Sequence, residues 1–563
     1  MAATSSPASR HVLAPDNNFS ILQASRPATP SRHDHGATGV AMWLRRVGIA
    51  LVLIGLAVFL YIGVAGDYRI SQEALDALAA DGLIQEQHQA ILFEELAPLV
   101  DRTYDGVGPF LDDVERKLLE SNERLDGGSQ IWEYNRGQYQ LYLAKAAGQG
   151  PAHRSALLFF FLSFGLVTLG ALLDFLPRIV QAPGGIKNHG IFHSGLKTRG
   201  MLGIAFGVFL IGFYVLIYFM PAYVAGWIRL VDPLSVALRG KVADQWFFYG
   251  TIYTFCVVVM GVRMLVNYRH NRYHMVRTWS VMFFQLIFAW LIPGIMAAIN
   301  QPEVDFKFIW PLDYNAFADY KLASYIESGA FGWFLLAWAI GLVVIAVPVL
   351  TYLYGKRWYC SWVCGCGGLA ETLGDPFRHQ SDKSLRAWQV ERWLIHAVLV
   401  FAVVMTGIVV ADFLVTRSGG NALLGGNAWK VRNTYGFLIG SIFAGVVGTG
   451  FYPFMGNRVW CRFGCPLAAM LGMVQKFKSR FRITTNGGQC ISCGNCSTYC
   501  EMGIDVRWYA QRGQNIIRSS CVGCGVCAAV CPRGVLRLEN GPEPGRYNEV
   551  SLVQIGRGRI DVS

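Results

Sequence analysis

The chain alternates between long apolar runs and short polar connections. A membrane-spanning helix needs about 20 predominantly apolar residues. Eight runs meet that test, at 43–65, 155–176, 200–221, 246–266, 278–298, 329–354, 393–413 and 435–455. The pattern therefore predicts an α-helical polytopic membrane protein with about eight transmembrane helices. Residues 1–42 are polar and rich in Ser, Pro and Ala, and are expected to be disordered. The first run, 43–65, follows about forty residues and so reads as a signal anchor, not a cleaved signal peptide.

Two stretches break the alternation. The first is 66–154, with 16 acidic and 8 basic residues. Its apolar positions recur at helical spacing, as in "FLDDVERKLLESNERL", which predicts a small acidic helical domain. It contains no Cys, so it offers no haem-attachment motif. The second stretch follows residue 483. "TTNGGQC" reads as a linker into a compact unit spanning 484–540, with a tail at 541–563. The helices 155–176 through 435–455 and their connections then form a membrane domain, 155–483.

Composition supports the membrane reading. Hydrophobic residues make up 53% of the chain and charged residues 15%, against about 25% charged in soluble domains. The net charge of +12 would suit nucleic acid in a soluble protein. Here its distribution speaks against that partner. Arg263, Arg269, Arg272 and Arg277 mark one connection, and Lys356, Arg357, Arg378, Lys383 and Arg386 another. Arg178, Lys187, Lys197 and Arg199 precede the third helix, and Arg458 and Arg462 follow the eighth. The intervening loop 299–328 has two lysines among five acids. Basic loops face the cytoplasm, which puts both termini on the cytoplasmic side of a bacterial inner membrane and 66–154 in the periplasm.

The cysteines carry the chemistry. Thirteen of the 14 lie from Cys360 onward; Cys256, in an apolar helix, reads as core packing. "CISCGNCSTYC" supplies Cys490, Cys493, Cys496 and Cys500, and "CVGCGVCAAVCP" supplies Cys521, Cys524, Cys527 and Cys531. Both are C-x2-C-x2-C-x3-C runs, which bind [4Fe–4S] clusters with the fourth Cys of each run serving the other cluster. One expected cluster is held by Cys490, Cys493, Cys496 and Cys531. The other is held by Cys521, Cys524, Cys527 and Cys500. Zinc also uses C-x2-C pairs, but rarely this doubled run.

A second pattern lies upstream. "GKRWYCSWVC" from Gly355 and "GNRVWCRFGC" from Gly456 match at an offset of 101 residues, each after an apolar helix. Cys360 and Cys364 correspond to Cys461 and Cys465. Residues four apart share one helical face, so each pair presents two thiols to one centre. Four such thiols suit a third iron–sulfur or metal centre, redox-active dithiols beside Arg357 and Arg458, or a merely structural role. Cys366 has no counterpart, because Leu467 stands there.

These residues carry a resemblance. Residues 490–532 resemble bacterial two-cluster ferredoxins, implying an α+β fold. Twin C-x3-C motifs after membrane helices, followed by two ferredoxin runs, resemble the membrane-bound polyferredoxins of the NosR/NapH/CcoG-like group, over about 330–540. "CRFGCP" fits that pattern; "CSWVCG" departs from it, with Gly365 where the group has proline. Glu501 likewise stands where proline often follows the fourth cysteine. "HGATGVA" at 35–41 is only superficially like a flavin-attachment site, and His270, His274 and His396 sit near helix ends; no FMN or haem is expected.

The sequence thus reads as a respiratory-chain electron-transfer subunit, not a stand-alone enzyme. It would pass electrons between a cytoplasmic ferredoxin module and a membrane redox partner, with quinone as the small partner and a multi-subunit redox system around it. The alternatives are a maturation factor that reduces a metal such as copper, and a redox sensor acting through 66–154.

Overall fold

The computed structural model describes residues 39–125, 130–177, 179 and 199–540, together with the backbone of 553–556 and 559–562. The expected disordered segment up to residue 38, and Arg178, Lys187 and Lys197, lie outside these residues.

Among the described residues, seven helices are long and apolar enough to cross a membrane. They are α1 (Gly39–Val64), α2 (Pro151–Phe175), α3 (Met201–Phe219), α4 (Gln245–Asn267), α5 (Arg272–Ala298), α6 (Gly329–Tyr354) and α7 (Leu385–Arg417). Their lipid-facing residues, such as Leu53, Val208 and Val344, are exposed in the isolated chain, as a bilayer-solvated surface requires. The expected eighth helix, 435–455, is less regular. It runs as Ala428–Tyr435, a π-helical stretch Gly436–Val447, and the short turns Gly448–Gly450 and Tyr452–Met455. Glycines at 436, 440, 445, 448 and 450 let neighbours press against its backbone: a Cβ at Gly440 would stand 2.9 Å from the Tyr314 ring.

Residues 66–150 form a helical unit at one end of the bundle. Its core, with Leu75, Leu92, Phe110 and Leu118, is continuous with Trp227 and Ile228 of the connection after α3. The buried Lys145 ammonium donates to Asp232 at 2.7 Å and to the Ala243 carbonyl at 2.6 Å. That pins the unit to the same connection.

The C-terminal unit sits at the other end. Strand Phe481–Thr485 pairs antiparallel with Leu536–Asn540, so the unit begins earlier than the sequence break at 484 suggests. The backbone of 553–556 pairs with 559–562 as a small hairpin. The connection between α5 and α6 reaches back toward this end. Ile309 and Leu312 are buried in the same cluster as Cys360, Cys364, Cys461 and Cys465, and Trp310 bonds Thr406, inside α7, at 2.9 Å. Irregular backbone in a membrane protein is tolerated where protein buries it. Cys256 packs beside Val257, Val281 and Leu369.

Candidate functional site

The two repeat copies fold alike. Each preceding helix stops at a glycine with positive φ: Gly355 at 66° and Gly456 at 90°. Both positions are also crowded: a Cβ at Gly355 would meet Gln475 and Phe481, and one at Gly456 would meet Ser381. A single turn follows, Arg357–Cys360 or Trp460–Gly464. Cys364 and Cys465 are then the extended N-cap residues of helices Gly365–Thr372 and Pro466–Lys478. The C-x3-C pairs therefore do not lie on one helical face, as the spacing alone suggests. The first cysteine of each pair sits in the turn and the second caps the next helix.

All four thiols are buried in one cluster. Burial pushes the Cys465 thiol well up, and Cys461, Cys360 and Cys364 push it further. Cys461 is raised by burial and opposed by Arg458, whose Nη1 lies 3.6 Å from Cys461 Sγ and donates to the Cys360 carbonyl at 3.1 Å. Arg357 does not play the matching part for Cys360. It turns toward the C-terminal unit, donating to Asn540 at 2.7 Å and stacking over Phe481. Cys366, the unmatched thiol, bonds Cys364 and pulls it below the ordinary thiol range, helped by the Gly367 N–H, Lys307 and Arg458. Gly365 also gains a reason. A Cβ there would stand 2.8 Å from the Tyr253 hydroxyl and 3.1 Å from Gln285 Oε1, so this copy has no room for the proline of the other.

In the C-terminal unit, Cys490, Cys493, Cys496 and Cys531 line one surface pocket. Cys493 is exposed. Cys496 is pushed up to about 12 by burial, with Cys531, Cys493 and Cys490 adding to it. Cys521 and Cys527 are buried, with Cys500 and Cys524 packed against them. Burial raises Cys527, and Cys521, Cys500 and Cys496 raise it further, so the two sets adjoin.

The spacing of these thiols tests which metal group they suit. Four sulfurs on one tetrahedral zinc at about 2.3 Å would stand about 3.8 Å apart. Among the described residues, the group of potential ligand atoms all within 4.8 Å of one another is Glu371, Glu501 and Cys524. The cysteine sets are more open than a single ion needs, and their all-thiolate composition fits the corners of a cubane cluster.

Glu371 and Glu501 are both paired with arginines, and they share Arg378 and Arg458. Arg277 and Arg458 clasp Glu371 at 2.8 and 2.7 Å, and Arg378 reaches it at 2.6 Å. Arg378 and Arg458 also meet Glu501, at 2.8 and 3.2 Å. Arg263 and Arg378 hold Asp375 at 2.9 and 2.7 Å. Burial disfavours the charged Glu371, yet the three arginines hold its carboxyl well below the ordinary carboxylate range. Four arginines face three carboxylates, leaving a positive excess beside sites for anionic clusters. The sequence presents these arginines as ordinary loop charges. Instead Arg277, Arg378 and Arg458 are 1% exposed, and Glu501 is a docking residue in place of the usual proline. Arg277 and Arg458 meet Glu371 from 94 and 87 positions away, and Arg378 meets Glu501 from 123, beyond the reach of any local pattern.

The loop 521–524 is bonded residue by residue to the membrane part. Gln475 donates to the Cys521 carbonyl at 2.8 Å, Ser361 to Val522 at 2.8 Å and Tyr273 to Gly523 at 2.8 Å. Arg277 donates to the Cys524 carbonyl. Ser361 directly follows Cys360.

Comparison with known proteins agrees with this arrangement. Residues 332–384 and 435–484, which contain both C-x3-C motifs, match a 4Fe-4S binding domain. Residues 482–532 match a 4Fe-4S dicluster domain. The electron transport protein YccM of Escherichia coli (strain K12) is 28% identical over 189 residues, 29% of this chain and 46% of the relative. The methylamine utilization ferredoxin-type protein MauN of Paracoccus denitrificans (strain Pd 1222) is 28% identical over 188 residues, 31% of this chain and 58% of the relative. The chain thus spans about half the length of these relatives. No solved structure matches. The matches support a membrane polyferredoxin-like group, without assignment to one member, and an electron-transfer role for a multi-pass membrane chain that carries iron–sulfur clusters.

Proposed function

We propose that the chain relays electrons between a soluble redox partner and a quinone-type carrier in the bacterial inner membrane. The relay runs through three centres. Cys490, Cys493, Cys496 and Cys531 hold the outermost cluster, where the exposed Cys493 meets the partner. Cys521, Cys524, Cys527 and Cys500 hold the next. Cys360, Cys364, Cys461 and Cys465 hold a third, with Cys366 hydrogen-bonded behind Cys364. When bound, each [4Fe–4S] cluster takes up and releases one electron at a time.

The observation that carries the reading is the row of side chains bonded to carbonyls 521–524. Ser361, Gln475, Tyr273 and Arg277 fix the second cluster loop against the membrane part, beside the first repeat motif. Arg458 connects the same two places through Cys461 and Glu501. Preorganised contacts of this kind set distance and potential, while the cofactor supplies the chemistry. The basic connections support a cytoplasmic position for the C-terminal unit, and 66–154 then lies in the periplasm.

The test uses the full chain, iron-loaded, in lipid nanodiscs. Clusters reduced by a low-potential donor should be reoxidised by a short-chain quinone. Clusters that stay reduced under excess quinone would refute the reading.

A further inference from the structure

A cavity of about 280 Å³ lies inside the membrane part. It runs beside the glycine-rich segment from Tyr435 to Tyr452 and is walled by Tyr218, Tyr249 and Tyr253 from α3 and α4. Asp313 and Tyr314 of the α5–α6 connection line it, and so do Cys366 and Cys461. Small-molecule sites start at about 300 Å³, so the space suits a single-ring headgroup.

Its polar atoms are only partly used. The Tyr253 hydroxyl, Asn457 Oδ1 and Trp460 Nε1 are buried and have no hydrogen-bond partner among the described residues. Asn457 and Trp460 are 1% and 6% exposed. A buried polar group without a partner costs about 1–3 kcal/mol, so three beside one cavity point to a ligand that completes them. They comprise two N–H or O–H donors and one carbonyl acceptor. The neighbouring carboxylate, Asp313, is paired with Lys321. The set suits a neutral ring bearing both carbonyl and hydroxyl oxygens.

We infer that this cavity binds the quinone headgroup, with Tyr253 and Trp460 donating to its oxygens and Asn457 accepting from the quinol hydroxyl. The inference rests on the quinone-linked relay proposed above and locates its membrane end. Cys461 belongs to both the cavity wall and the four-thiol site, so a bound ring touches the centre with which it exchanges electrons. Quinol oxidation there releases two electrons, one to each of two oxidised iron–sulfur centres, and two protons, which leave to water past Asp313. Quinone reduction is the reverse.

An azido-substituted benzoquinone, photolysed with the iron-loaded full chain in nanodiscs, should label the segment 435–466. Ala444→Leu fills the cavity, and Tyr253→Phe removes one donor. Each should lower labelling at least tenfold while iron content stays at the wild-type level. Iron content thereby reports folding separately. Labelling that maps elsewhere, or that both variants leave unchanged, overturns the assignment. Reoxidation of the pre-reduced wild-type clusters by menadione separates the two layers. If menadione reoxidises them and labelling misses the cavity, the relay stands and the site is wrong. If menadione never reoxidises them, the quinone-linked reading itself fails.

Discussion

Ser361 donates its hydroxyl hydrogen to the Val522 carbonyl over 2.8 Å. Cys360 precedes the donor and Cys521 precedes the acceptor, so one hydrogen bond ties the residue after a repeat-motif cysteine to the residue after a cysteine of the C-terminal unit. Ser361→Ala should cost about 0.5–1.5 kcal/mol of docking stability and slow transfer between the C-terminal clusters and the membrane part. Stopped-flow reoxidation by quinone checks the rate, with iron content unchanged. An unaltered rate would show that electrons leave by another route.

Glu501 is buried against Arg378 and Arg458. Glu501→Gln removes the charge and keeps the shape. Breaking one partner of a buried pair costs about 3–5 kcal/mol. The C-terminal unit should therefore undock at lower temperature and become protease-sensitive near residues 378–384, and limited proteolysis reads this directly. The positive excess around the clusters also grows, so their reduced, more anionic state is favoured and their potentials rise in redox titration.

Gly365 leaves no space for a side chain beside Tyr253 and Gln285. Gly365→Ala should destabilise the fold by about 1–3 kcal/mol through overpacking. Adding Tyr253→Phe, which removes the nearest atom, should recover part of that loss. Thermal unfolding of the single and double variants checks the coupling.

The fold and site were unequally legible. The ferredoxin runs and the matching C-x3-C motifs are short patterns that can be read directly from the chain. Seven apolar runs became spanning-length helices because bilayer thickness fixes their length. The segment at 435–455 is helical but π-helical over Gly436–Val447, where Gly436 and Gly440 pack against Tyr314 while Phe437 and Leu438 stay exposed. Three features depend on contacts between distant residues. They are the arginine–carboxylate network, the inward reach of Ile309 and Leu312, and the cavity. Charge counting assigned Arg277 and Arg378 to loops at the membrane surface, because sequence carries no sign that Glu371 and Glu501 would bury them. The C-x3-C thiols share one buried cluster, but the cysteines of each pair sit in a turn and at the start of the next helix, not on one helical face as the spacing suggests.

Iron counting tests the three-centre relay most directly. Purified full-length chain should carry about twelve irons, four per cubane cluster. Cys360→Ser combined with Cys461→Ser should carry about eight, with the C-terminal clusters still reducible by a low-potential donor. A wild-type count of about eight, or a double variant that keeps all its iron, would contradict a third cluster at the paired motifs.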